Sequence, residues 1–168
     1  MTRSTPMLAV LALMAVASTA GAGVVVDHDH DADFSGFETF TFKSGTPASS
    51  ELNQRRIENA IERELVAKGL RRDDEAPDLE VVTHVSVEKS MRVEVDDFGY
   101  QRHWGGTTVS AYEVHLGTLV VDLVDASKKA LAWRGKATAT VDPNMKPDKL
   151  EARINKIVAK MFKEYPPS

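Results

Sequence analysis

The 168-residue chain contains no cysteine. That absence excludes disulfides, thiolate metal sites and a cysteine nucleophile. It also excludes lipid attachment at a processed N-terminal cysteine, so the mature form is expected to be soluble rather than anchored. Positive charge is in deficit: 21 Lys and Arg stand against 25 Asp and Glu, a formal net charge of −4. Such a balance offers no electrostatic footprint for nucleic acid. A bilayer-spanning run is missing too, because the apolar stretch from Met7 to Ala17 is shorter than the roughly 20 residues a spanning helix needs. There is no G-x-S-x-G elbow to activate a serine. The "WGG" at Trp104 to Gly106 lacks the lysine and following helix of a phosphate-binding loop.

What is present begins with a leader. Arg3, the apolar core and the Ala20-Gly21-Ala22 site read as a secretory signal peptide over residues 1–22. Its removal takes Arg3 and moves the formal net charge from −4 to −5. The expected mature unit, 23–168, is long enough for one domain with one core.

Residues 51–68 place Ile57, Ala60, Ile61 and Leu65 on one helical stripe. Ser49 or Ser50 can cap its start, and Gly69 followed by Leu70 suits a left-handed stop. "RRDDEAPD" (71–78) reads as a polar turn. From Leu79 the chain alternates, Leu79, Val81, Thr83, Val85 and Val87 against Glu80, His84, Ser86 and Glu88, a half-buried strand that can continue through Val95. After the loop 96–108, "VSAYEVHLGTLVVDLVDA" and "LAWRGKATATV" form a hairpin around Ser127 to Lys129. A last helix starts near Pro147, with Leu150, Ile154, Ile157, Val158, Met161 and Phe162 as its apolar stripe. The expected fold is α+β, in the order β-α-β-β-β-α. A mostly antiparallel sheet of about four strands would carry both amphipathic helices on one face.

The stretches "DADFSGFETFTF", "APDLEV", "GTLVVDLVDASKKALAWRGKATATV" and "INKIVAKMFKEYPP" together resemble the bacterial family of domain of unknown function 4136. The resemblance spans nearly the whole mature chain. It implies a secreted or lipid-anchored cell-envelope protein with an α+β fold, and brings no established activity, cofactor or catalytic residue. This chain departs from the family in lacking a lipidation cysteine and in a shorter aromatic loop.

Two stretches are candidates for chemistry. Asp27, Asp29 and Asp31 with Glu38 follow calcium-loop spacing, but Ala32 replaces the glycine of the sharp turn and the flanks read as strands. As a strand, the same stretch sets His28 and His30 on one face and the acids on the other. Two histidines so spaced can chelate zinc or copper, yet a third ligand is needed and spacing shows none. The second candidate is the loop holding Tyr100, Arg102, His103 and Trp104, whose aromatics and cation suit recognition by stacking. Trp133 reads as core, and Asp122 as a structural partner of Arg134 or Lys136 across the hairpin. The resulting expectation is a periplasmic, non-enzymatic binding or accessory module without cofactor, its partner another envelope component. The alternative is a metal-dependent or hydrolytic enzyme using Asp27 to Asp33.

Overall fold

The computed structural model of the chain describes residues 22–97 and 107–167. The strands are β1 (Gly23–His28), β2 (Thr39–Thr46), β3 (Arg71–Arg72), β4 (Leu79–Asp97), β5 (Thr107–Asp125) and β6 (Ala130–Val141). The helices are α1 (Glu51–Ala67) and α2 (Pro147–Met161), and short 3-10 turns lie at Phe34–Gly36 and Phe162–Glu164. All strands join one sheet in the order β1-β6-β5-β4-β2-β3. The leader expected over residues 1–22 lies outside the described residues except for Ala22.

The fold is α+β with two helices on one face, but the sheet has six strands and is mixed, not four and antiparallel. Two physical causes account for the difference. The opening segment breaks between His28 and Thr39 and supplies two strands, β1 at one edge and β2 near the other. The helix α1 then returns the chain along the sheet, so β4 starts at the same end as β2 and pairs with it in parallel, Phe40 opposite Leu79. Within the stretch read as a polar turn, Arg71 and Arg72 add two residues beside Thr39 and Phe40.

Asp78, the residue before β4, ties that junction. Its Oδ2 accepts hydrogen bonds from the Glu38 and Thr39 amides at 3.0 and 2.9 Å and from Thr39 Oγ1 at 2.8 Å. Its own amide donates back to Thr39 Oγ1 at 2.9 Å. The donated bonds, from Glu38 first, hold the Asp78 carboxyl below the ordinary carboxylate range.

One core lies between the helices and the sheet face that carries Phe40, Leu79, Val81, Val121, Leu123 and Trp133. The α1 stripe meets it as expected, with Ile57, Ala60, Ile61 and Leu65 buried. Each large aliphatic side chain so buried contributes about 1.5–3 kcal/mol. Helix α1 ends in a Schellman motif, Leu70 N donating to Leu65 O and Gly69 N to Val66 O, with Gly69 at φ 94°. At its start Ser50 is the N-cap through its backbone and makes no side-chain cap bond. Gln54 reaches back instead, and its Oε1 accepts from the Ala48 amide at 3.0 Å. Helix α2 begins with Pro147 in its first turn. Its end comes close to β6 at Gly135, where a Cβ would collide with Met161 Cγ and Sδ and with the Trp133 ring.

Strands β4 and β5 are each 19 residues long and outrun their neighbours. Pairing of β2 stops at Thr46 opposite His84, and pairing of β6 stops at Val141 opposite His115. Beyond that, Ser90 to Asp97 pairs with Val114 to Thr107 alone. This two-stranded ribbon projects about 27 Å at ~3.4 Å per residue.

Candidate functional site

The Asp/His stretch is built as a strand end and a turn. Alternation holds only as far as His28, with Asp27 opposite Arg134 and His28 opposite Trp133. Asp29, His30 and Asp31 are then in a turn, so the expected two-faced strand is shorter than its pattern suggests. The turn is closed by Ala32 N donating to Asp29 O, while Asp29 N still reaches Ala132 O. The carboxylates serve their own backbone. Asp27 Oδ1 accepts from the His28 amide, Asp29 Oδ1 from the Asp31 amide, and Asp33 Oδ1 from the amide and hydroxyl of Ser35. The Ser35 hydroxyl, first among several bonds, lowers the Asp33 pKa. The rings of His28 and His30 lie edge to face with centroids 4.6 Å apart, and Phe34 stands 6.0 Å from His28. Among the described residues, no three His, Asp or Glu side chains are grouped so as to hold a metal ion.

Other polar residues of the strands make structural contacts. Asp122 is buried on the face away from the helices and takes a bidentate pair from Arg134, both bonds 2.6 Å. The Arg134 pKa is raised by that bond first. His84 Nδ1 meets the Thr46 hydroxyl at 3.0 Å where β2 leaves the sheet. His115 Nε2 lies 3.0 Å from Glu113, which also pairs with Lys89 at 3.3 Å. Trp133 is core, fully buried against Phe162 and Tyr165.

Tyr100, Arg102, His103 and Trp104 lie outside the described residues, in the segment that joins the end of β4 to the start of β5. The ribbon that leads to them carries a feature not recognised from sequence. In register, Val85 and Leu119 of the core face are followed on the same face by Val87 opposite Gly117, Lys89 opposite His115, Met91 opposite Glu113 and Val93 opposite Ala111, with Val109 further along β5. Among the described residues, no helix packs over Met91, Val93 or Val109. Val87, Met91, Val93 and Val109 are 52, 67, 58 and 63 % exposed, an apolar patch of the kind that marks interaction sites.

At the root of the ribbon the two helices and the sheet leave an apolar cleft of about 160 Å³. Its floor is formed by small residues of β5 and β6, Gly117, Ala137 and Ala139, and its walls include Ile57 of α1 and Ile154 and Ile157 of α2. Substituting Gly117 would not be neutral, since a Cβ there would press on Val141. Both helices begin at this end: Arg56 of α1 pairs with Glu151 of α2 at 3.8 Å, and Arg63 lower down with Asn155. The signals were present in sequence as an apolar alternation that resumes after Lys89 at Met91 and Val93, and as small residues at core positions of β6. Only the register brings them together.

Comparison with known proteins places the chain in a family. The model for the domain of unknown function DUF4136 matches residues 24–167, nearly the whole chain, and the chain belongs to that family. No curated protein matches it. Among solved structures it is similar to a PDZ domain protein from Parabacteroides distasonis ATCC 8503, at 20% identity and a TM-score of 0.58. That likeness covers 88% of this chain and only 37% of the other, so the chain spans little more than a third of that protein. It is also similar to the PelC dodecamer from Paraburkholderia phytofirmans in two crystal forms, one of them of a point variant. The identities are 14% and 13% and the TM-scores 0.52 and 0.51, with 84% of this chain and 94% of the PelC chain covered in each. At these identities the likeness is one of fold. Among the described residues no helix is long and apolar enough to cross a membrane.

Proposed function

We propose that the chain is a non-enzymatic binding module of the bacterial cell envelope, exported by its leader, that engages another envelope component through the β4–β5 ribbon and the aromatic segment joining its strands. The observation that carries this reading is the set of exposed apolar side chains along the ribbon and its root, Val87, Met91, Val93 and Val109, on the face that also holds the Lys89–Glu113 pair. A ribbon only two strands wide does not bury such a row by itself, and exposed apolar patches beside a rigid scaffold are where partners bind. Tyr100, Arg102 and Trp104 in the joining segment add the residue types that dominate binding hot spots. The PelC structures are dodecamers, which supports this fold as a framework for assembly. The enzymatic alternative at Asp27 to Asp33 draws no support from geometry, because Asp27, Asp29 and Asp33 accept bonds from their own strand or turn.

The test is crosslinking in the native envelope followed by mass spectrometry, with Tyr100→Ala/Trp104→Ala beside the parent. We expect partner capture to fall at least tenfold, since a lost hot-spot aromatic costs ~2 kcal/mol or more in binding. Stability should change by only about 0.5 kcal/mol. A large drop in melting temperature would mean that these aromatics are structural, and unchanged capture would move the site elsewhere.

A further inference from the structure

We infer that the outer edge of β1 accepts an extended, acidic segment of a partner protein as a seventh strand of the sheet. This surface is separate from the ribbon, so the two readings stand or fall independently. The backbone of β1 and the cations of α2 together carry the inference.

The backbone decides where a strand can add. Asp29 N donates to Ala132 O, its direct opposite when the β1–β6 register is extended by one residue. In an antiparallel pair such bonded positions alternate, so Gly23, Val25 and Asp27 turn their N–H and C=O toward β6. Val24, Val26 and His28 turn theirs outward. Two outward groups near the ends are already taken, the Ala22 carbonyl by Lys160 Nζ at 3.1 Å and the His28 amide by Asp27 Oδ1 at 2.9 Å. Between those caps, the N–H and C=O of Val24 and Val26 have no partner among the described residues. The strand holds no Pro or Lys and its register is unbroken, so it lacks the usual devices that blunt an edge. Val24 and Val26 pack against the core and Val25 is 68 % exposed on the open face. An incoming strand thus finds two donors and two acceptors in place, the arrangement used in strand addition.

The cations decide what kind of strand. On α2, Lys149, Arg153, Lys156 and Lys160 recur at intervals of four, three and four residues, which sets them on one face of the helix. The opposite flank carries Glu151 and Asn155, which reach Arg56 and Arg63 of α1. Asp148, three residues before Glu151, shares that flank. The cationic face therefore looks away from α1 and toward the β1 side, where Lys160 meets Ala22. None of its four cations is in an ion pair among the described residues. From Lys149 to Lys160 the row spans roughly 17 Å at 1.5 Å per residue, and β1 spans about the same at ~3.4 Å per residue. Acidic side chains on the helix side of an added strand would meet this row. The same row opposes a second copy, because β1 edge against β1 edge would bring two α2 rows together, like charge against like.

The test titrates the purified protein with a labelled, acetylated and amidated peptide Val-Glu-Val-Glu-Val-Glu, read by fluorescence anisotropy and amide hydrogen exchange. We expect saturable binding that slows exchange of the Val24 and Val26 amides at least tenfold. The exposed pair Lys156→Glu/Lys160→Glu should weaken binding at least tenfold, as should lysine for glutamate in the peptide. A peptide N-methylated at alternate amides keeps the charge and loses the donors, so it should also bind at least tenfold more weakly, with no change to the protein. Equal binding of the N-methylated peptide would show adsorption of any polyanion, as to an anionic membrane surface, and overturn strand addition. Equal binding of the lysine peptide would overturn the charge preference. A sedimenting dimer with Val24 and Val26 protected before peptide is added would assign the edge to a second copy, and absence of binding would remove the inference.

Discussion

Replacing Asp78 by asparagine isolates the tie that sets where β4 begins. The carboxylate accepts from two amides and one hydroxyl, and charge-assisted bonds are roughly twice as strong as neutral ones. The Glu38 bond is exposed and is discounted for screening by water. The two bonds to Thr39, itself buried, then lose about 1 kcal/mol each, a total of about 2 kcal/mol at neutral pH. For a domain of this size that corresponds to roughly 4–8 °C in Tm. The pH dependence gives the sharper check. The folded-state pKa of Asp78 is depressed, so its contribution is whole above the unfolded value of about 3.9 and is lost as pH falls through the lower folded value. Parent and Asp78→Asn should therefore differ at pH 7, and the gap should narrow as pH falls below the unfolded value of about 3.9. Asp33, Asp73, Asp74 and Asp125 are depressed as well, so both proteins weaken in acid, and the gap between them is the quantity to follow. Thermal melts at pH steps from 7 to 2 measure it. A gap that stays constant with pH would refute the carboxylate as its source.

Three further outcomes are expected. Gly135→Ala should cost about 1–3 kcal/mol by overpacking and Met161→Ala about 2–5 kcal/mol by a cavity; in denaturant melts their double variant should cost less than the sum by at least about 0.5 kcal/mol, and strict additivity would deny the contact. Ile61→Asp, fully buried in α1, should abolish cooperative folding, because an unpaired buried carboxylate costs several kcal/mol out of ~5–15. Ile157→Asp, on the half-buried wall of the cleft, should lower Tm and leave a folded protein, so equal damage from the two would misplace the cleft. Export should remove residues 1–22, giving an N-terminal mass that starts at Gly23; an intact Met1 in the membrane fraction would refute the leader.

The helices were legible because a 3.6-residue stripe survives any tertiary context. Ile57, Ala60, Ile61 and Leu65 are buried as their spacing requires, and Gly69 stops the helix as its backbone freedom allows. The β5–β6 hairpin was legible for a local reason too, with Asp122 directly opposite Arg134. Pairing between distant segments was not. Nothing in "TFTF" says that its neighbour is Leu79 to Val82 in parallel, and the crowded polar residues from Asp27 to Glu38 read alike as strand or turn. Strand alternation is the same whether a strand has two neighbours or one, so the ribbon was invisible as a ribbon. The cleft draws on residues from Ala48 to Ile157, which meet only once the sheet is assembled.

The pairing of β1 with β6 has a consequence in time. Gly23 sits opposite Thr138, and Lys160 Nζ holds the Ala22 carbonyl at 3.1 Å. The first strand of the sheet therefore cannot dock until 115 further residues have been made, a delay of roughly 6 to 23 s at ~5–20 residues per second. Through that interval β1 itself has no partner strand. The already completed β6 segment of a neighbouring chain, Ala130–Val141, could pair with it first. The order in which the ends of this polypeptide meet thus sets when it is most open to exchanging a strand with another molecule.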